Sequence, residues 1–205
     1  MLESDLQAIL TQHTLWLESG GKEGKRANLS GVNLRGAVLR AVDLRMIGLQ
    51  RANLVGASLK GSNLSGADLR GACLEHSFLK GVNLTGANLT RTDLTGANLT
   101  GANLTEANLV GARLISADLE GADLRMANLS GADLVGADLS GIDLAFTDLT
   151  LTDLMRANLS VTNLVGAALL MADLSEAFYY AGKPPIGLPD EIMEQLIVKE
   201  GTDGN

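Results

Sequence analysis

The sequence predicts an all-β fold of stacked coils, a β-solenoid, and three observations carry that prediction. Leu recurs every fifth residue from Leu29 to Leu174, thirty times without a slip. The residue two before each Leu is small, Ala in 19 cases and otherwise Val, Ile, Thr or Ser. Gly dominates two residues after the Leu, as at Gly131, Gly136 and Gly141. The position directly before the Leu is Asn in 12 cases and Asp in 11. A repeat this regular takes precedence over residue-by-residue propensity.

A period of five excludes the ordinary elements. On a helix each step of five turns the side chain by ~140°, which smears the Leu around the axis. In a flat strand five is odd, so successive Leu would alternate faces. A chain that turns a corner once per pentad aims every Leu inward, and stacked coils then bury a column of Leu. The small residue two earlier suits an inward position with little room. Gly two residues after the Leu suits a turn residue with φ > 0.

The pattern Ala-(Asn/Asp)-Leu-Xaa-Gly stands here as Ala97-Asn98-Leu99-Thr100-Gly101 and as Ala132-Asp133-Leu134-Val135-Gly136. It resembles the pentapeptide-repeat family over about residues 27–176. The resemblance implies a right-handed quadrilateral parallel β-solenoid with four pentads per coil. The thirty pentads then make about 7.5 coils, a rod roughly 36 Å long at a strand spacing of ~4.8 Å. Short helices are expected to cap both ends. The chain accordingly divides into an N-terminal capping helix and link (1–25), the solenoid (26–180), and a Pro-rich segment, short helix and disordered end (181–205).

The N-terminal helix is expected over residues 4–18, with Ser4 and Gln7 as a capping box. Leu2, Leu6, Ile9, Leu10, Trp16 and Leu17 share one face, and Gly20-Gly21 stops the helix. An open solenoid end exposes apolar core and unpaired edges, so this helix is expected to cover the first coil with Trp16 as its plug. His13, within the apolar face, reads as a satisfied core histidine rather than a ligand or base. Lys22 to Arg26 form a polar link.

With four pentads per coil, residues twenty apart stack. Arg40, Lys60 and Lys80 then form a basic ladder, but without interleaved aromatics and in a chain of net charge −8 this does not read as a nucleic-acid site. The stretch Cys73 to Lys80 departs furthest from the consensus: Cys73 and Phe78 replace Asn or Asp, and His76 replaces Gly. Cys73, His76, Phe78 and Lys80 point outward as a candidate partner-contact patch, the alternative being neutral drift. Two ligand types without partners do not make a metal shell.

Asp is favoured before the Leu from residue 118 onward. Asp133, Asp153 and Asp173 form a candidate acidic ladder, with Asp123 and Asp143 on another side. The turns there lose Gly: Met126 should stack with Phe146, and Leu151 with Met171, beside Leu170. These five form a candidate apolar contact for the chain's own tail or for a second subunit. At Phe178-Tyr179-Tyr180 a ring replaces the repeat Leu and reads as an aromatic plug. Lys183 to Gly187, with Pro184-Pro185, is expected not to continue a ladder. Pro189 then opens a short helix whose apolar face, Ile192, Met193, Leu196 and Ile197, either folds back on the apolar patch or joins a second chain.

Composition bounds the function. Burying thirty Leu at ~1.5–3 kcal/mol each supplies ample core for a quasi-one-dimensional fold. An aromatic content of 3% suits a core too narrow for rings. One Cys leaves no disulfide framework, and residues 1–25 hold neither a signal peptide nor a membrane span, so a cytoplasmic protein is expected. Charge is uneven: +3 over residues 1–90 and −11 over residues 91–205, an electrically polar rod. No phosphate loop, no nucleophile with a base and no paired acid and base stand beside a cleft. The expectation is a non-catalytic protein–protein interaction or scaffolding module without cofactor, whose partner is a protein, with a homodimer through the C-terminal end as a further option. The alternative that the resemblance implies is an acidic mimic of DNA that binds DNA gyrase or a topoisomerase. Uniform Leu at the repeat centre and the lack of loops count against it.

Overall fold

Residues 3–200 are described by the computed structural model. The polypeptide turns once in every pentad and pairs in parallel with itself twenty residues on, as in Asn33 with Asn53, Asn53 with Cys73 and Cys73 with Asp93. Four turns therefore close each coil, and the molecule is a four-sided solenoid. Its β character lies in single paired residues, because the chain turns away after three residues. Helix α1 (Glu3–Glu18) precedes the coils; strand β1 (Phe178–Tyr180), helix α2 (Asp190–Met193) and strand β2 (Ile197–Lys199) follow them.

One pentad shows why each residue type stands where it does. Ala52 N–H donates to the Leu49 carbonyl at 3.0 Å and closes the turn, and Asn53 N–H donates to Val32 of the previous coil at 3.0 Å. Leu54 and Gly56 donate onward to Cys73 (2.7 Å) and Glu75 (2.9 Å) of the next coil. Val55 N–H is left without a backbone acceptor, and Asn53 Oδ1 takes it at 3.1 Å. The Asn or Asp before each Leu is thus an Asx-turn acceptor that completes the set.

The corner residue two after Leu has positive φ throughout, with or without Gly. Fourteen non-Gly residues share this conformation, including Phe146 (φ 59), Leu151 (φ 59) and Val161 (φ 51). Left-handed geometry costs an L-residue ~1–2 kcal/mol, so each large corner residue is held against local preference by the ladders around it.

Inside, every repeat Leu is buried except Leu169, which is half-buried near the C-terminal end. The small residues join the same column, and where they are Ser or Thr the hydroxyl has a task. Thr92, Thr152 and Thr162 donate to the carbonyls of Leu69 (2.9 Å), Leu129 (2.9 Å) and Leu139 (2.7 Å) one coil back. Ser77, between Cys73 and Phe78, has a buried hydroxyl with no such partner among the described residues.

At the N-terminal end α1 already includes Ser4, so Ser4 lies within the helix and not at its cap. The buried side chains of α1 are Leu10 and His13, and Trp16 is only half-buried. The buried ring of α1 is therefore the histidine and not the tryptophan, which stacks on His13 at 5.8 Å. His13 Nδ1 accepts Ala27 N–H at 3.2 Å and Nε2 donates to the Arg45 carbonyl at 3.1 Å, which fixes the neutral tautomer. Burial is the main cause of an imidazole pKa below its ordinary 6.5.

The C-terminal end corrects three expectations. The Pro-rich segment does continue a ladder: Ile186 pairs with Asn163, donating to Thr162 O and accepting from Leu164 N–H, both at 2.8 Å. Pro185 lies buried just before it, where no N–H is required. The tail also does not fold back on the side patch. It lies over the last coil, where β2 pairs with β1 in parallel and Leu196 is buried, with Ile192 and Met193 packed on the column. Tyr179, the ring expected to plug the column, is only half-buried. The disordered end expected at 201–205, and Leu2, lie outside the described residues.

Candidate functional site

Twenty-residue stacking distributes the exposed side chains into fixed ladders on four sides. Cys73 stands between Asn53 and Asp93 on one side, and Phe78 between Ser58 and Asn98 on the next. His76 occupies the corner between them (φ 54), its ring lying over Gly96 of the following coil. Phe78 is 58% exposed, and Cys73, His76 and Lys80 are exposed as well. Cys73 and Phe78 carry no oxygen for the Asx turn, so this coil departs from the pattern in its turn chemistry as well as its surface. No group of three metal-ligating side chains forms among the described residues. The four residues form one exposed patch wrapped around a corner, adjoining the basic ladder of Arg40, Lys60 and Lys80.

The acidic ladder is contiguous: Asp133 pairs with Asp153, and Asp153 with Asp173. Each carboxylate also accepts the N–H two residues on, from Val135 (3.2 Å), Met155 (3.0 Å) and Ser175 (2.8 Å). Hydrogen bonds from Ser175 hold the Asp173 carboxyl below the usual range. The row continues toward the N-terminus through Arg113, whose guanidinium is 2.6 Å from Asp93, so the acidic run ends in an ion pair.

Met126, Phe146, Leu151, Leu170 and Met171 come together around one side, the face that runs from Asn28 through Asp68, Asn108 and Asp148 to Ala168. Met126 and Phe146 stand on one edge of this face, Leu151 and Met171 on the other, and Leu170 between them. All five are exposed, Phe146 at 68% and Met171 at 74%, and the tail does not cover them.

The N-terminal half of the same face carries a feature that sequence reasoning missed. Arg51, Arg70 and Arg91 line an open groove of about 720 Å³ with Ser30, Gln50 and Thr90. Gly31 and Gly71 leave room between the arginine corners. Arg70 is tied to Asp68 at 2.7 Å. The available signal was the alternation Gly31, Arg51, Gly71, Arg91, Gly111 at twenty-residue spacing, which places every second side chain over a gap.

No helix among the described residues is long and apolar enough to cross a membrane. No curated protein sequence matches the chain. Among solved structures it is similar to a trypsin-treated variant of QnrB1, a plasmid-mediated fluoroquinolone resistance protein. The identity is 18%, the match covers 86% of this chain and 91% of that one, and the TM-score is 0.61; this is a likeness of fold. HetL, a pentapeptide-repeat protein involved in heterocyst differentiation regulation in the cyanobacterium Nostoc sp. strain PCC 7120, is 31% identical over 79% of this chain and 91% of its own, with a TM-score of 0.27. The family model described as pentapeptide repeats matches in eight copies over residues 25–46, 49–86, 87–125 and 122–160. The chain belongs to the pentapeptide-repeat family, whose members form right-handed β-helical solenoids.

Proposed function

We propose that the chain is a non-catalytic interaction module, a rigid rod that presents fixed ladders of side chains to a protein partner. The observation that carries this reading is the exposed patch of Cys73, His76, Phe78 and Lys80, set around one corner of a solenoid that has no insertion in thirty pentads. A loop-free surface offers contact area but no cleft in which to exclude water from a reaction. In this reading α1 and the tail are end caps, which bury the column and blunt its unpaired edges. The test is capture of partners from the source organism by the intact chain and by Cys73→Asn/His76→Gly/Phe78→Asn. A protein retained by the parent and lost from the variant supports the patch; equal retention moves the contact elsewhere on the rod.

A second reading is favoured by one observation, the continuous row of Asp133, Asp153 and Asp173 in a half-chain of charge −11. A row of carboxylates at regular rise resembles a phosphate backbone, and such a surface would engage DNA gyrase or a related topoisomerase. Replacing all three Asp by Asn removes the charge and keeps the Asx acceptor. Loss of topoisomerase binding in that variant supports mimicry, and unchanged binding excludes the ladder.

A further inference from the structure

The face from Asn28 to Ala168 is bulky, apolar and acid-flanked at its C-terminal half, and grooved, Gly-rich and basic at its N-terminal half. We infer that this face binds a second copy of the chain, antiparallel, about a two-fold axis that crosses the face at Asn108 and Val110. This goes beyond the proposal above: it concerns a like subunit and the side next to the one bearing Cys73, whose ladder supplies Asp133 and Asp173 along the shared edge.

The argument is one of register. Both copies share the same coil rise, so one alignment fixes every opposition. A two-fold axis lying in the interface, perpendicular to the rods, sets each edge of the face against its own reverse. On one edge Phe146 then faces Gly66, beside Met46, and Met126 faces Gly86, where nothing stands within 4 Å of an added Cβ. On the other edge Leu151 faces Gly71, Arg91 faces Gly131 with its open corner, and Gly111 faces itself. In the middle Leu170 faces Gln50 in the floor of the groove.

Charge follows the same register. Arg70 faces Thr150, Arg91 lies opposite Gly131 with Asp133 just round the edge from it, and Arg51 lies opposite Met171 beside the exposed Asp173. Two oppositions are unfavourable: Glu106 faces its own copy on the axis, and Asp68, held by its own Arg70 at 2.7 Å, faces Asp148. The exposed apolar patch thus has an occupant of matching shape on the same molecule, with Arg51 and Arg91 set near its carboxylates.

The test uses the full chain with Cys73→Ser, so that a new cysteine is the only thiol. Val110→Cys places that thiol on the axis; Ile115→Cys places it at the same height on the adjoining side. Mild oxidation with copper phenanthroline is expected to cross-link Val110→Cys into dimers and to leave Ile115→Cys monomeric. Arg91→Glu is expected to raise the dimer dissociation constant in sedimentation at least about tenfold. Arg91→Glu/Asp133→Arg is expected to restore it, and Glu106→Gln to tighten it. Equal cross-linking at both positions, or a monomer at every concentration, overturns the inference. So does a charge swap that stays as weak as Arg91→Glu while melting like the parent.

Discussion

The imidazole of His76 reaches over Gly96, so that a Cβ built on Gly96 would meet its Nδ1 at 2.6 Å. Both residues occupy the same corner on successive coils, and both have positive φ. Gly96→Ala is therefore expected to cost the left-handed penalty of ~1–2 kcal/mol and also to displace the histidine. Gly101→Ala, at an open corner, should show the backbone part alone. Thermal melting of the two variants, with and without His76→Gly, separates the contributions. The prediction fails if His76→Gly leaves the difference between the two Ala variants unchanged.

Leu99 is fully buried in the middle of the column. Leu99→Ala should destabilise by ~2–5 kcal/mol, and Leu99→Asp should unfold the central coils, because a carboxylate there has no partner. Denaturant melts check both; a normal curve for Leu99→Asp would contradict an inward Leu.

Ser77 and Thr152 occupy equivalent inward positions with opposite outcomes. The Thr152 hydroxyl reaches the Leu129 carbonyl at 2.9 Å, and the Ser77 hydroxyl is buried without a partner among the described residues. Thr152→Val should destabilise by ~1 kcal/mol, whereas Ser77→Ala should be neutral or stabilising. Chemical denaturation of the pair decides; equal losses would mean that Ser77 is satisfied in solution.

His13 couples the N-terminal end to pH. Its folded pKa lies below 6.5, with burial the largest cause, so the folded state binds its proton less readily than the unfolded chain. The stability it supports is complete above about pH 6.5 and is lost as pH falls through the lowered folded value. Protection of the α1 amides against hydrogen exchange, corrected for the slower intrinsic exchange at lower pH, should fall as the pH drops below about 6.5, above the titration of surface carboxylates. His13→Asn should flatten this dependence, and a parent without it would refute the coupling.

Truncation after Gly182 should lower the melting temperature and raise dye binding. The cause is exposure of the end of the Leu column under Leu196, since Phe146 and Met171 are already exposed with the tail in place. A truncated chain that melts like the parent would show that the tail contributes nothing to the last coils.

Much of this architecture was legible in the sequence because a repeat is local physics written many times. Once five residues make one corner, the inward Leu and the positive φ two residues later follow, and the four pentads per coil that the family resemblance implies add the twenty-residue stacking of Cys73 with Asp93. Stacking also predicted the adjacency of Asp133, Asp153 and Asp173. The ends were less legible because they occur once. Nothing in the helical spacing of α1 distinguished Trp16 from His13 as the inserted side chain until both imidazole nitrogens had found Ala27 and Arg45. Nor did the sequence of the tail show that Ile186, after two prolines, could pair with Asn163.

The sequence by itself determined the coil, its core and the ladders, since each depends on a pentad and its neighbours twenty residues away. Only the tertiary structure decided how those ladders combine into surfaces. Arg51, Arg70 and Arg91 become one groove because an edge and the side next to it converge in space, and Met126, Phe146, Leu151, Leu170 and Met171, which stacking had already grouped, are left uncovered by the tail. The tail likewise goes to the end of the column because Leu196 meets buried apolar surface there, together with the unpaired edge of Phe178 to Tyr180, which a flat side does not offer.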